Sequence, residues 1–150
     1  FLFGKSDPQL DLVLQLYAGL GATLGHNFPF YMNFKGGKGI AVLAGIYLAF
    51  GIINVWIPFI TGFILFFSIF FATHYVSLAS LSVSALFPVM MVVMTLTGFI
   101  SPGQGAVRIE FFVLALLIMV MAFIRHSENI KRLLSGNERK TYLSKKNKTE

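Results

Sequence analysis

The stretch Lys35-Gly36-Gly37-Lys38-Gly39-Ile40-Ala41 opens a run, residues 40–73, that contains no Asp, Glu, Lys or Arg. As one helix that run would rise about 51 Å, against roughly 30 Å of bilayer hydrocarbon. It therefore has to break. Gly51, Asn54 and Pro58 place the break and predict helices over 40–53 and 56–73. Composition agrees with a membrane setting: 56% of residues are hydrophobic and 12% charged, where a soluble domain carries about 25% charged residues.

Upstream, Pro8 suits a first helical turn, and residues 9–26 read as an apolar helix that Pro29 ends. Ala18, Gly19, Gly21, Ala22 and Gly25 give it small residues, which permit close helix packing in lipid. Downstream, a short polar pause from His74 to Ser80 precedes an apolar run over 76–97, with Pro88 as a tolerated kink. Residues 98–105 form a Gly/Pro loop, and 108–124 form the last span. Residues 127–134 keep helical spacing, with Ile130, Leu133 and Leu134 on one side, and Gly136 suits a C-cap. The reading is all-α: a polytopic integral membrane helix bundle of five spans and an interfacial helix over 1–134, then a basic tail over 135–150 whose last dozen residues are expected to be disordered.

Charge orients the bundle. Eight of the twelve Lys and Arg lie from Arg125 onward. Counting spans, that basic end, the Lys35/Lys38 loop and the His74–Ser80 turn share one face, which the positive-inside rule makes cytoplasmic. The chain is expected in a bacterial cell membrane. Its opening, Phe1-Leu2-Phe3-Gly4-Lys5, has neither an initiator Met nor a signal-peptide plan, so it is expected to begin within a longer protein.

Two polar clusters on that face carry chemistry. In the first, glycines alternating with Lys35 and Lys38 can nest an anion through backbone N–H groups, with the start of a helix at Ile40 behind them. A cytoplasmic turn of membrane-flanking lysines fits the same residues. A nucleotide P-loop does not fit, because Met32 and Gly39 occupy positions that motif reserves for Gly and Ser/Thr. In the second, His126 and Asn129 share a helical face, able to hydrogen-bond a hydroxyl; ordinary interfacial polarity fits as well. With no cysteine and histidines 26, 74 and 126 far apart, nothing calls for a metal or cofactor. The tail offers only Tyr142 among its basic residues, which argues against nucleic acid.

His26-Asn27-Phe28-Pro29 followed by Lys35-Gly36-Gly37-Lys38-Gly39-Ile40-Ala41 resembles the second signature of the bacterial PlsY-type glycerol-3-phosphate acyltransferases. Their third signature is matched at His126, Asn129, Arg132, Leu133, Gly136 and Glu138, departing at Ser127, where the family has Arg. The turn Tyr75-Val76-Ser77-Leu78-Ala79-Ser80 is also similar to a family segment, with His74 where a basic residue is usual. Family members carry two further spans and a first signature ahead of this region. The resemblance implies acyl transfer from acyl phosphate to the 1-hydroxyl of glycerol 3-phosphate, within membrane lipid. It implies His126 and Asn129 as catalytic residues. Lys35, Gly36, Gly37, Lys38, Gly39, Ser77, Ser80, His26 and Asn27 would bind substrate and phosphate, and Glu138 and Arg132 would be structural. Composition alone also admits a small transporter, which would bury ionisable residues in mid-span, or a membrane scaffold, for which the basic tail rather than the Lys/Gly loop would be essential.

Overall fold

The computed structural model describes residues 8–52 and 56–142, and every regular element among them is helical. The elements are α1 (Pro8–Asn27), a 3-10 turn (Phe30–Met32), α2 (Ile40–Ile52), α3 (Ile57–Thr73), α4 (Val76–Leu96), α5 (Ala106–Arg125) and α6 (Ser127–Leu134). Local chemistry accounts for the boundaries. Pro58 lies in the first turn of α3, where no amide partner is lost. Gly51 takes the Trp56 ring so closely that a Cβ there would lie 2.6 Å from it; Asn54 lies outside the described residues. After α6, the amides of Gly136 and Asn137 return to the carbonyls of Leu133 and Arg132 at 3.2 and 2.8 Å, a Schellman cap with Gly136 left-handed at φ 72°.

Helices α1 to α5 pack in a closed circuit, α1 on α2, α2 on α3, and so on round to α5 on α1, with α2 also touching α4 across it. Leu16, Phe50, Phe87, Met91, Phe111 and Ile118 fill the centre and are essentially inaccessible. Helices in lipid gain little from hiding apolar surface from one another, so such a centre holds by close packing. Gly19 lets α1 approach α2 closely: a Cβ would lie 2.7 Å from Ile46 of α2. Nothing lies within 4 Å of a Cβ built at Gly21 or Gly25, so those two small residues are not where α1 meets a neighbour.

Helices α4 and α5 are long and apolar enough to cross a membrane; α2 and α3 are apolar but shorter, at 13 and 17 residues. The outward face is correspondingly greasy, with Ile64, Phe71, Leu116 and Ile124 exposed. The polar side chains turn inward instead: Thr23, Asn27, Ser77, Ser80, Ser84, His126 and Asn129 are all buried. All but Ser84 and Thr23 lie near one end of the bundle, where α1 and α3 finish, α2 and α4 begin and α5 meets α6.

Candidate active site

The glycine loop is held by contacts that leave no room for side chains. The Gly36 and Gly37 amides donate to the carbonyls of Asn27 and His26 at 3.2 and 3.0 Å. A Cβ at Gly36 would lie 2.1 Å from the His26 carbonyl oxygen, and one at Gly37 would lie 2.0 Å from the His26 ring. The outward carbonyls of the same glycines accept from Arg125, Nη2 to Gly36 at 2.8 Å and Nε to Gly37 at 3.0 Å. The guanidinium also sits 5.3 Å from the centre of the Phe28 ring. The two loop amides expected to cradle an anion are therefore already committed to the end of α1. What the loop delivers is Lys38 and, beyond left-handed Gly39, the first turn of α2 with its unpaired amides.

From Lys38 a chain of hydrogen bonds crosses to the other signature. Lys38 Nζ donates to Asn129 Oδ1 at 2.6 Å, Asn129 Nδ2 donates to Glu138 Oε1 at 2.7 Å, and Arg132 Nε donates to Glu138 Oε2 at 2.8 Å. The Glu138 side chain is only 6% exposed. Burial pushes its carboxyl up, but the hydrogen bonds from Asn129 and Arg132, the nearby Ser77 hydroxyl and the Arg132 charge outweigh that and hold it at about 2. Ser77 Oγ leans on this carboxylate without meeting full hydrogen-bond geometry, and is otherwise unpartnered among the described residues. The neighbouring Lys131 pairs with Glu128.

His126 sits between α5 and α6, 2% exposed, with Nδ1 2.7 Å from the Ala122 carbonyl. That contact places the proton on Nδ1 and leaves Nε2 as an acceptor. Burial lowers the His126 pKa below its ordinary value; the Ala122 carbonyl opposes this, Lys38 adds to it and Glu138 opposes it. The ring is thus a neutral acceptor at neutral pH.

These groups line one cleft of about 920 Å³. His26, Gly37, Lys38, Ser77, Ser80, His126, Asn129, Arg132 and Glu138 all face it, together with Ile40 and Ala41 of α2. Lys35, Gly36, Gly39 and Asn27 do not. Lys35 is exposed, and Asn27 is fully buried behind Gly39 with neither side-chain polar atom partnered among the described residues. Sequence reasoning missed Arg125, which read as the first residue of a basic flank. It also missed the segment after α6. Residues expected to belong to a loose tail lie on the bundle: Thr141 N donates to the His74 carbonyl at 2.8 Å, the Tyr142 and His74 rings are 4.7 Å apart, and Asn137, Arg139 and Thr141 line the cleft. No local signal marks such contacts, because their partners lie some 65 positions away. A second cavity of about 500 Å³, lined almost entirely by apolar groups, shares Ile40, Ala41 and Phe66 with the cleft.

A family model described as Glycerol-3-phosphate acyltransferase matches residues 1–136. A curated glycerol-3-phosphate acyltransferase of Macrococcus caseolyticus is 36% identical over 130 residues, 87% of this chain and 59% of the relative. One from Thermotoga petrophila is 36% identical over 142 residues, 95% of this chain and 62% of the relative. The chain thus spans about 60% of the length of these relatives. Among solved structures, PlsY (YgiH), an integral membrane glycerol 3-phosphate acyltransferase in its glycerol 3-phosphate form, superposes with a TM-score of 0.64 at 29% identity. The match covers 85% of this chain and 56% of that one. The lysophosphatidic acid form of the same protein matches equally well.

Proposed function

The chain belongs to the glycerol-3-phosphate acyltransferase family, and from that premise we propose that it carries the phosphate-handling half of an acyl-phosphate-dependent enzyme. The reaction is attack of the glycerol 3-phosphate 1-hydroxyl oxygen on the acyl carbonyl carbon. The bond from that carbon to the phosphate oxygen breaks, a new ester forms, and the hydroxyl proton leaves on a phosphate oxygen. Lysophosphatidic acid and inorganic phosphate are the products. The observation that carries this reading is the hydrogen-bonded line Lys38–Asn129–Glu138–Arg132, which ties the two signature clusters together at a cleft that shares Ile40, Ala41 and Phe66 with an apolar groove. One end suits phosphate, the other a fatty chain.

Roles follow from the geometry. Lys38 and the start of α2 offer positive charge and free amides to a phosphate, and Ser77 and Ser80 add hydroxyls. His126 Nε2 accepts from the glycerol hydroxyl and aims it. Because acyl phosphate is already an activated donor, positioning and charge stabilisation supply most of the rate, and no protein nucleophile is needed. Glu138 and Arg132 hold Asn129 in place. Lys35, Gly36, Gly39 and Asn27 shape the loop more than they touch substrate, while His26 faces the cleft. In this reading the helices α1 to α5 each cross the membrane, and the cleft opens on the cytoplasmic face with the C-terminal segment.

The test is phosphate release from palmitoyl phosphate by protein purified in detergent, with and without glycerol 3-phosphate and with palmitoyl-CoA in parallel. Release that requires glycerol 3-phosphate and yields lysophosphatidic acid is expected. Absence of turnover with either donor, from folded protein that also contains the relatives' first signature, would sink the proposal.

A further inference from the structure

Past the cap at Gly136 the chain stays on the bundle and is pinned on both sides of Arg139. On one side Glu138 is bound to Asn129 and Arg132. On the other, the Thr141 amide donates to the His74 carbonyl at 2.8 Å, Lys140 Nζ lies 5.8 Å from the centre of the Tyr75 ring, and the Tyr142 and His74 rings are 4.7 Å apart. The segment is a strap from α6 to the start of α4. Arg139 lines the cleft, is exposed, and makes no hydrogen bond, ion pair or ring contact among the described residues. The neighbouring cations are engaged: Arg132 by Glu138, Lys38 by Asn129, and Arg125, which does not line the cleft, by the glycine-loop carbonyls. Without Arg139, the Lys38, Arg132 and Glu138 side chains of the lining leave one net positive charge. The proposed reaction brings two phosphates to this cleft, each bearing about −1.5 to −2 at neutral pH.

We propose that Arg139, carried on this strap, binds a phosphate monoester in the cleft, as the second phosphate site beside that of Lys38 and the first turn of α2. A guanidinium whose backbone is fixed and whose five N–H donors are unspent suits two-point recognition of phosphate oxygens. The inference rests on the acyl-transfer reading for the identity of the phosphate, and on the strap for the position of the cation. Arg139→Gln should raise KM for one of the two phosphorylated substrates about 10- to 100-fold and leave kcat nearly unchanged, as loss of ground-state and transition-state binding alike requires. Arg139→Lys keeps the charge without the fork and should recover part of the loss. Neither variant should alter the melting temperature, because neither removes a contact within the described residues.

Two measurements on detergent-purified protein separate this from its premise. The first is calorimetric titration with inorganic phosphate, glycerol 3-phosphate and dodecyl phosphate. The second is steady-state kinetics with glycerol 3-phosphate and palmitoyl phosphate varied in turn. A rise in KM for glycerol 3-phosphate alone supports the proposal and makes that substrate's phosphate the ligand; a rise for palmitoyl phosphate alone supports it and makes the acyl donor's phosphate the ligand. Weaker binding of these phosphates in Arg139→Gln, with no turnover by any variant, keeps the phosphate site and removes the acyl-transfer reading. Thr141→Pro, which deletes the amide that ties the strap to His74, should weaken the same binding in the wild-type background and add little in Arg139→Gln. Dissociation constants and KM values equal to wild type in both Arg139→Gln and Arg139→Glu overturn the proposal. So does a loss confined to kcat, or one that tracks a lowered melting temperature.

Discussion

Asn129 has no role apart from its neighbours. Its carbonyl oxygen takes the Lys38 ammonium and its amide holds one oxygen of Glu138, so its orientation is dictated from both sides. Lys38→Ala removes the only lysine in the cleft lining among the described residues. It should lower kcat/KM for glycerol 3-phosphate by about 100-fold or more; unchanged activity and apparent affinity would remove Lys38 from the site. The titrating groups give a second expectation. Glu138 is held at about 2 from an ordinary 4.5, so its contribution to stability is fully present above about 4.5 and is lost as pH falls toward 2. His126 is lowered from 6.5, so the unfolded chain binds its proton first and stability starts to fall once pH drops below 6.5. Thermal melts across pH should show both declines. His126→Gln should flatten the upper one alone and Glu138→Gln the lower one alone; a profile unaffected by either would contradict these assignments.

At the scale of elements, the loop between α1 and α2 depends on α5. Arg125 spans two adjacent carbonyls with one planar group, which a lysine's single point charge cannot do. Arg125→Ala should cost about 2–3 kcal/mol, since it leaves two carbonyls short of charge-assisted partners, and Arg125→Lys should recover less than half, both read from thermal unfolding. Glycines make a graded set. Gly36→Ala forces a methyl against backbone and should be far more damaging than Gly37→Ala, which needs only the His26 ring to turn. Gly21→Ala, in open space within α1, should stabilise by about 0.5–1 kcal/mol. Helix limits were legible to within about two residues because proline, glycine and apolar period act locally. The Arg125 clamp was not, because nothing near Arg125 in the chain says which carbonyls it will meet. The anion nest at Gly36 and Gly37 was read from residue type alone, and residue type does not say that α1 already holds those amides.

At the scale of the whole molecule, the circuit of helices brings chain segments about 90 positions apart to one end, as the Lys38–Asn129 bond shows. The sequence carried the parity of this arrangement, since an odd or even number of intervening helices puts each polar cluster at one end of the bundle or the other. It could not supply the groove, whose walls come from α2, α3 and α4 at once. The five-crossing arrangement makes a sharp prediction because the chain has no cysteine, so that any introduced thiol is unique. Lys35→Cys and Lys140→Cys lie at the cleft end, and Phe99→Cys lies in the exposed loop between α4 and α5 at the other. In sealed vesicles of known orientation, a membrane-impermeant maleimide should label Lys35→Cys and Lys140→Cys from the cytoplasmic side alone and Phe99→Cys from the opposite side alone. The first two sites bracket four proposed crossings, α2 to α5, and the third lies between the last two of them, so an even count separates Lys35 from Lys140 and an odd count separates either from Phe99. Labelling of Lys35→Cys and Phe99→Cys from the same side would mean that the two shorter helices, α2 and α3, do not both cross, and the orientation of the cleft would have to be drawn anew.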